Sequence, residues 1–177
     1  MSAESRQGRV VVGLTGGPGA AFGVRLLEVL AGLPVETHLV MCRCASRAIA
    51  RETGRVPDEV RGLADRVYAE RNQAARISSG SFLTLGMAIA PCSASTLASI
   101  GLGLAMNLVH RAADVTIKEG RPLVLLVPGG GLGPFRAEAL GRLERTPGVS
   151  LVRPAGGEPA SVEAAVHEVV ARLGVGA

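Results

Sequence analysis

The fold is decided by the stretch RVVVGLTGGPGAAFGVRLLEVL, residues 9–30. Its first seven residues form a short, β-branched apolar run, which is typical of a strand covered on both faces. Glycines follow at once, and residues 20–33 then carry apolar side chains at helical spacing. A strand that leads through a glycine turn into a helix predicts the first unit of a parallel α/β sheet.

The same alternation continues along the chain. It predicts further strands at residues 35–41, 66–69, 86–90, 122–127 and 150–152, and further helices at residues 44–53, 57–63, 93–105, 107–118, 136–145 and 161–173. We therefore expect a doubly wound parallel sheet of five or six strands in a three-layer, Rossmann or flavodoxin-like α/β/α domain. A single domain over residues 9–177 would follow a disordered tail at residues 1–8. Ligands of such sheets bind beyond the carboxyl ends of the strands.

Composition excludes several other classes of protein. The chain has 177 residues, of which 47% are hydrophobic and 19% charged, so it should fold. Only four residues are aromatic and the 19 basic residues are scattered, so we expect no nucleic-acid partner. The three cysteines form no CxxC pair, and the three histidines lack the spacing of metal ligands. We expect no metal and a reducing, cytoplasmic location.

Residues 77–109 carry no formally charged side chain, a length that exceeds the roughly 20 residues needed to cross a bilayer. The stretch contains several hydroxyl side chains and Pro91 in its middle. It is therefore interpreted as a buried strand followed by a buried helix, and no membrane association is expected. His38 falls inside a predicted strand and should lie in the core or at an interface.

The loop after the first strand is the first candidate site. Gly16 and Gly17 allow a ligand to approach the backbone closely, and the helix that follows offers N–H groups that suit a phosphate. The loop has neither the Lys of a Walker A motif nor the full dinucleotide fingerprint. A tight turn without a ligand is the alternative.

Two later loops and one cation add to this candidate site. Cys42 follows the second strand, and Ser93 is a predicted N-cap at the start of the hydroxyl-rich segment Ser93-Ala94-Ser95-Thr96. Plain capping is the alternative for each. Lys118 is the single Lys beside 18 Arg, which hints that its position requires a compact ammonium group.

Four segments together resemble the flavin prenyltransferase (UbiX) family of homo-oligomeric FMN-binding flavoproteins. They are residues 10–30, ETHLVM at 36–41, ISSGSFLTLGMAIAPCSASTLASI at 77–100 and HRAADVTIKEGRPLVL at 110–125. The resemblance implies a doubly wound fold, assembly into trimers and dodecamers, and FMN at the subunit interfaces. It also implies transfer of a dimethylallyl group from its phosphate to reduced FMN, for use by a partner decarboxylase.

Carried over by position, the resemblance assigns roles to residues of this chain. The acidic residue near the flavin, with a catalytic role, would be Glu52. The FMN contacts would be Gly16, Gly17, Pro18, Cys42, Ser93, Ala94, Ser95 and Thr96. The cations for the prenyl phosphate would be Lys118, Arg111 and Arg172, and Lys118 and Arg111 would also be catalytic.

The chain departs from the family pattern at three places. Pro18 replaces a serine, residues 128–131 (PGGG) replace an Arg-Glu-Thr-Pro motif, and a tyrosine-bearing segment before the last helix is missing. Three hypotheses therefore remain: a prenyltransferase in which residues 129–131 supply backbone N–H donors, a divergent FMN-dependent decarboxylase or oxidoreductase, and a non-catalytic flavin-binding subunit.

Overall fold

A computed structural model describes residues 8–129 and 133–175, so most of the predicted N-terminal tail lies outside the described residues. The strands are β1 (Arg9–Leu14), β2 (Glu36–Met41), β3 (Arg66–Tyr68), β4 (Gly86–Ile89), β5 (Leu123–Leu126) and β6 (Val149–Val152). The helices are α1 (Ala20–Ala31), α2 (Arg43–Thr53), α3 (Pro57–Arg61), α4 (Ala94–Gly101), α5 (Leu108–Lys118), α6 (Pro134–Glu144) and α7 (Pro159–Arg172). A short 3-10 turn spans Arg76–Ser78.

The six strands form one sheet in the order β3-β2-β1-β4-β5-β6, and every neighbouring pair is parallel. This confirms the predicted doubly wound fold. The chain winds outward in one direction from β1 to β3 and in the other from β4 to β6. The order reverses between β1 and β4, and the crevice at their carboxyl ends is where such sheets bind ligands.

Helices cover both faces of the sheet. Helix α1 packs against α2 and α7, while α4 packs against α5 and α6. The inner stripe of α1 is closed to solvent, with Phe22 2% exposed and Leu26 and Leu30 fully buried. Because both faces are covered, β4 and β5 are buried along their whole length, as the apolar runs predict.

The helix predicted over residues 93–105 is shorter than expected. It ends at Gly101, and Gly103 then adopts a left-handed conformation with φ of 70°. The apolar side chains after it are not buried, since Leu102, Leu104 and Met106 are 55%, 48% and 70% exposed. The expectation of a buried helix is therefore wrong for this apolar loop, residues 102–106. Within the described residues, no helix is long and apolar enough to span a membrane.

His38 lies in the core, at the end of the sheet away from the crevice. It is fully buried, and its Nδ1 lies 2.8 Å from the Tyr68 hydroxyl. Its ring packs edge-on against Phe82, with centroids 5.0 Å apart. The Nε2 atom is 3.5 Å from a Glu36 carboxylate oxygen but forms no hydrogen bond, so this contact is a weak electrostatic one. Burial lowers the pKa of His38 below its ordinary value, although Glu36 acts in the opposite direction.

Stability should therefore fall as the pH falls below about 6.5, the ordinary pKa of His. In that range His38 binds a proton in the unfolded chain, whereas its lowered pKa opposes protonation in the native state. Acid therefore favours unfolding, by up to about 1.4 kcal/mol per pH unit. Urea unfolding at pH 7.5, 6.5 and 5.5 measures the decline, which His38→Gln should reduce. Buried His110 also has a lowered pKa and should leave a residual slope. His167→Gln, at an exposed position, is the control; equal slopes in wild type and His38→Gln would contradict the prediction.

Candidate functional site

A cleft of about 230 Å³ lies at the reversal point, beyond the carboxyl ends of β1 and β4. Its walls come from three loops that each follow a strand. They are formed by Gly16, Gly17, Pro18, Pro91, Cys92, Ser93, Ala94, Val127, Pro128 and Gly129. Five of the residues predicted to contact FMN therefore meet in one place.

The glycine turn fits this cleft only because its residues lack side chains. A Cβ on Gly16 would lie 2.5 Å from the Cβ of Cys44, so the loop touches the start of α2 directly. Gly17 has φ of 122°, a conformation that side chains disfavour. The glycines thus let the loop lie directly against the start of α2 while its backbone lines the cleft.

Thr15 joins the two central loops, a role that sequence reasoning missed. Its hydroxyl donates to the Pro91 carbonyl oxygen and accepts from the Ser93 N–H, both at 2.8 Å, and the residue is 2% exposed. The loops after β1 and β4 are therefore held in fixed register. A hydroxyl residue at the end of an apolar strand, just before a glycine turn, was the available signal.

The hydroxyl-rich segment at the start of α4 both caps the helix and lines the cleft. Ser93 is the N-cap, because its Oγ accepts from the Thr96 N–H at 3.2 Å. Thr96 is buried, with its own hydroxyl 2.9 Å from Ser93 Oγ, so it supports the turn and does not line the cleft. Ser95 Oγ lies 3.1 Å from Ser93 Oγ. Ser93 and Ala94 are the two residues of this segment that line the cleft.

Two of the N–H groups that the sequence predicts to be free for a phosphate at the N-terminus of α1 are bound within the chain. One carboxylate oxygen of Glu52 accepts from the N–H groups of both Gly19 and Ala20, each at 3.0 Å. Burial raises the pKa of Glu52, but the Ala20 N–H, Arg51 and the Gly19 N–H outweigh burial and lower it below its ordinary value. An ionised carboxylate of the chain itself thus occupies this helix end.

Cys42, a predicted FMN contact, is the N-cap residue of α2, is 7% exposed and is not among the described residues that line the cleft. Burial raises the pKa of its thiol far above the ordinary range, and the neighbouring Glu70 carboxylate adds to the effect. Glu70, which sequence reasoning missed, also accepts from the Arg43 N–H at 3.2 Å and from Asn107 Nδ2 at 3.1 Å. Asn107 in turn caps α5, so Glu70 ties the starts of α2 and α5 together.

A second and larger cavity, the arginine groove, lies beside the cleft at the carboxyl ends of β2 and β3. Its volume is about 820 Å³. Three guanidinium groups give it a basic character. It is lined by Met41, Arg43, Ser46, Arg61, Ala69, Glu70, Arg71, Gln73, Met106 and Asn107.

The cations predicted for the prenyl phosphate do not lie in the cleft of the same chain. Lys118 ends α5 just before β5 begins, at the amino end of the sheet. Arg172 ends α7 at the same edge, and the next residue, Leu173, contacts the position of a Cβ on Gly86 at the start of β4. Arg111 lies seven residues before Lys118 and so about 10 Å away along the helix axis.

These three cations also differ in their partners. Arg111 is bound to Asp114 at 3.0 Å, and Arg172 to Glu168 at 2.6 Å. Among the described residues, Lys118 forms no ion pair and is exposed. Gly130 and Gly131, which one hypothesis makes N–H donors, lie outside the described residues.

Known proteins resemble this chain over most of its length. The family model described as Flavoprotein matches residues 1–174. A probable UbiX-like flavin prenyltransferase of Streptomyces sp. (strain D7) is 50% identical over 169 residues, 93% of this chain and 84% of the relative. The crystal structure of a dodecameric FMN-dependent UbiX-like decarboxylase from Escherichia coli O157:H7 has a TM-score of 0.83 and 46% identity, covering 93% of this chain and 91% of that one.

A further solved structure contains FMN and a dimethylallyl compound. It is AnUbiX (PadA1) in complex with FMN and dimethylallyl pyrophosphate, with a TM-score of 0.89 and 37% identity. The match covers 96% of this chain and 93% of that chain.

Proposed function

The chain belongs to the Flavoprotein family and, within it, to the UbiX-like flavin prenyltransferases; from this premise we propose that it binds FMN and transfers a dimethylallyl group to the reduced flavin. The observation that carries the proposal is the cleft at the reversal point between β1 and β4. It combines glycine backbone with apolar walls at the place where doubly wound sheets bind flavins and nucleotides.

The cleft fits part of a flavin. Its walls include Pro18, Pro91, Val127 and Pro128, which suit the face of a planar aromatic ring, while Ser93 supplies a hydroxyl at its edge. Its 230 Å³ are less than the roughly 300 Å³ at which ligand pockets usually begin. This supports a site that a second copy of the chain completes, in keeping with the dodecamer of the related decarboxylase.

The reaction requires positive charge around the departing phosphate, and the cations of a second copy could supply it. When the allylic C–O bond of dimethylallyl phosphate breaks, negative charge grows on the departing phosphate, and preorganised cations lower the barrier. Because Lys118 and Arg172 lie at the opposite edge of the sheet from the cleft, we assign them to the site of a neighbouring copy. Arg111, between the two edges, would supply a further charge.

Within the same proposal, Glu52 holds the wall of the cleft. Its hydrogen bonds from the Gly19 and Ala20 N–H groups fix the backbone that directly follows Pro18. The prenylated flavin would then leave for a partner decarboxylase, as the family resemblance implies.

A second candidate is an FMN-dependent decarboxylase that acts on a small metabolite. The observation that favours it is the composition of the cleft, where Cys92 is the one ionisable side chain among the described lining residues. Burial raises the pKa of Cys92 to about 12, so it stays neutral and does not compensate for the missing Arg-Glu pair.

One experiment separates these functions. Purified protein is incubated without oxygen with reduced FMN and either dimethylallyl phosphate or its pyrophosphate, and the released flavin is analysed by mass spectrometry. The proposal expects FMN to bind, the flavin to gain one C5 unit and one phosphate or pyrophosphate to appear per turnover. Binding without the mass gain would favour the second candidate, and no flavin binding would overturn both.

A further inference from the structure

We propose that Arg121 is a positioning residue for the transfer reaction. It holds residues 78–82, here called the serine loop, against the end of α5, and in doing so it keeps Lys118 in the place where a neighbouring copy uses it. The inference rests on the proposed function and deepens it, because it names a residue that acts on the departing phosphate only through Lys118. Arg121 itself does not have to touch the substrate.

The first observation is the set of partners of Arg121. This residue lies between α5 and β5, and its side chain is 14% exposed. One terminal nitrogen of its guanidinium group donates to the Phe82 carbonyl oxygen at 2.9 Å, and the other donates to the Gly80 carbonyl oxygen at 2.6 Å. The second nitrogen also lies 3.7 Å from a Glu119 carboxylate oxygen. A largely buried charge requires hydrogen-bond partners, and here the backbone of the serine loop supplies them.

The second observation is that the serine loop is held at both of its ends. A Cβ at Gly80 would overlap the carboxylate of Glu119, so the loop lies directly against the C-cap residue of α5. At the other end, the guanidinium groups of Arg9 and Arg76 lie 4.9 and 5.4 Å from the centroid of the Phe82 ring. These cation–π contacts fix the loop to the start of β1 and to the 3-10 turn. The loop is therefore a firm support for the helix end that it contacts.

The third observation connects this support to Lys118, which is the last residue of α5 and precedes Glu119. The last turn of a helix tends to fray, because its carbonyl groups lack partners within the helix. Arg121 opposes fraying, since its N–H donates to the Thr116 carbonyl oxygen at 3.0 Å and its guanidinium group binds Glu119 and the loop. A cation lowers the barrier most when it is preorganised around the developing charge, so holding this turn favours the action of Lys118.

The arrangement requires the side chain of arginine. A guanidinium group presents its N–H groups in a rigid, planar fork, whereas the ammonium group of lysine is a compact point charge on a flexible stem. Only the fork reaches two carbonyl oxygens and a carboxylate at once. Arg121→Lys therefore keeps the positive charge and most of the side-chain volume but breaks the connection between the serine loop and α5.

The test is a double-mutant cycle on the rate of dimethylallyl transfer. Arg121→Lys should lower kcat about tenfold, the effect of losing one charged hydrogen bond, and change FMN affinity by less than about twofold. In the Lys118→Met background, the same change should alter the remaining rate by less than about twofold, because the group through which Arg121 acts is absent. A loss of equal size in both backgrounds would overturn the inference, and so would full activity of Arg121→Lys.

Amide hydrogen exchange tests the same contact without substrate. Peptides from the serine loop and the end of α5 should exchange roughly ten times faster in Arg121→Lys than in the wild type, while peptides from β1 stay protected and show that the variant is folded. The control is Arg66→Lys at the same edge of the sheet, where the side chain is 67% exposed; exchange and turnover should not change. Unchanged exchange in Arg121→Lys, with an active wild type, would overturn only this inference. A wild type that transfers no dimethylallyl group would refute the proposed function itself.

Discussion

Replacing Lys118 by Met should lower the rate of dimethylallyl transfer about 10²- to 10³-fold, because one preorganised donor to a developing anion contributes roughly 3–4 kcal/mol to lowering the barrier. Lys118 is the exposed cation at the end of α5 that forms no ion pair among the described residues, so its charge is available to a ligand. The flavin cleft lies at the other edge of the sheet. FMN affinity should therefore change little, and the loss should appear in turnover.

The control for this prediction is Arg142→Met on α6, which removes an exposed cation bound to Glu138 and should leave turnover unchanged.

A second experiment tests whether two copies share a site. Gly16→Ala should displace the loop that walls the cleft, since the new Cβ would meet the Cβ of Cys44. Co-expression of Gly16→Ala with Lys118→Met should restore about a quarter of the sites if each site joins the cleft of one copy to Lys118 of another. Full activity of Lys118→Met alone would refute the role of Lys118.

Gly23→Ala should destabilise the fold by about 3 kcal/mol, although alanine is the better helix former. A Cβ at Gly23 would lie 2.3 Å from the Ala90 carbonyl oxygen and 2.7 Å from a methyl group of Leu14. The first contact is with backbone that Thr15 and Pro91 hold in place, so α1 would have to move away from the sheet. Thermal unfolding should show a melting temperature about 10 °C lower.

Gly141→Ala on α6 is the matched control, because its Cβ would meet only the flexible end of Arg145 at 3.5 Å. This variant should gain about 0.5–1 kcal/mol from the helix propensity of alanine. Equal stability of Gly23→Ala and the wild type would show that α1 can shift at no cost, and would contradict the rigid packing inferred here.

The alternation of apolar runs and helical patterns was sufficient to predict the architecture. Element boundaries differ from the prediction by no more than two residues, except at the end of α4. There Gly103 adopts a left-handed conformation that local hydrophobicity cannot reveal. The strands are well predicted because burial on both faces leaves a continuous apolar signature.

The candidate site was predictable in part. The loops after β1 and β4 follow from the general rule for doubly wound sheets, and Gly16 and Ser93 do line the cleft. Glu52 was named from a family resemblance, but its bonds to Gly19 and Ala20 join residues more than 30 positions apart in sequence. Such contacts depend on how α2 packs against α1, and no local pattern encodes them.

The position of Lys118 also could not be predicted from local sequence. Its rarity in the composition singled it out, but only the sheet topology reveals that it lies at the edge opposite the cleft. Sequence reasoning can propose that two residues serve one ligand. It cannot tell whether a single copy of the chain brings them together.

The apolar loop at residues 102–106 has a consequence for the life of the protein in the cell. Three large side chains that stay in contact with water make a solitary copy attractive to chaperones and proteases, which recognise such surfaces. Copies that bury this loop against one another would escape that surveillance. The abundance of the protein would then depend on how fast new chains associate after synthesis. Degradation of unassembled copies would favour association even if catalysis did not require it.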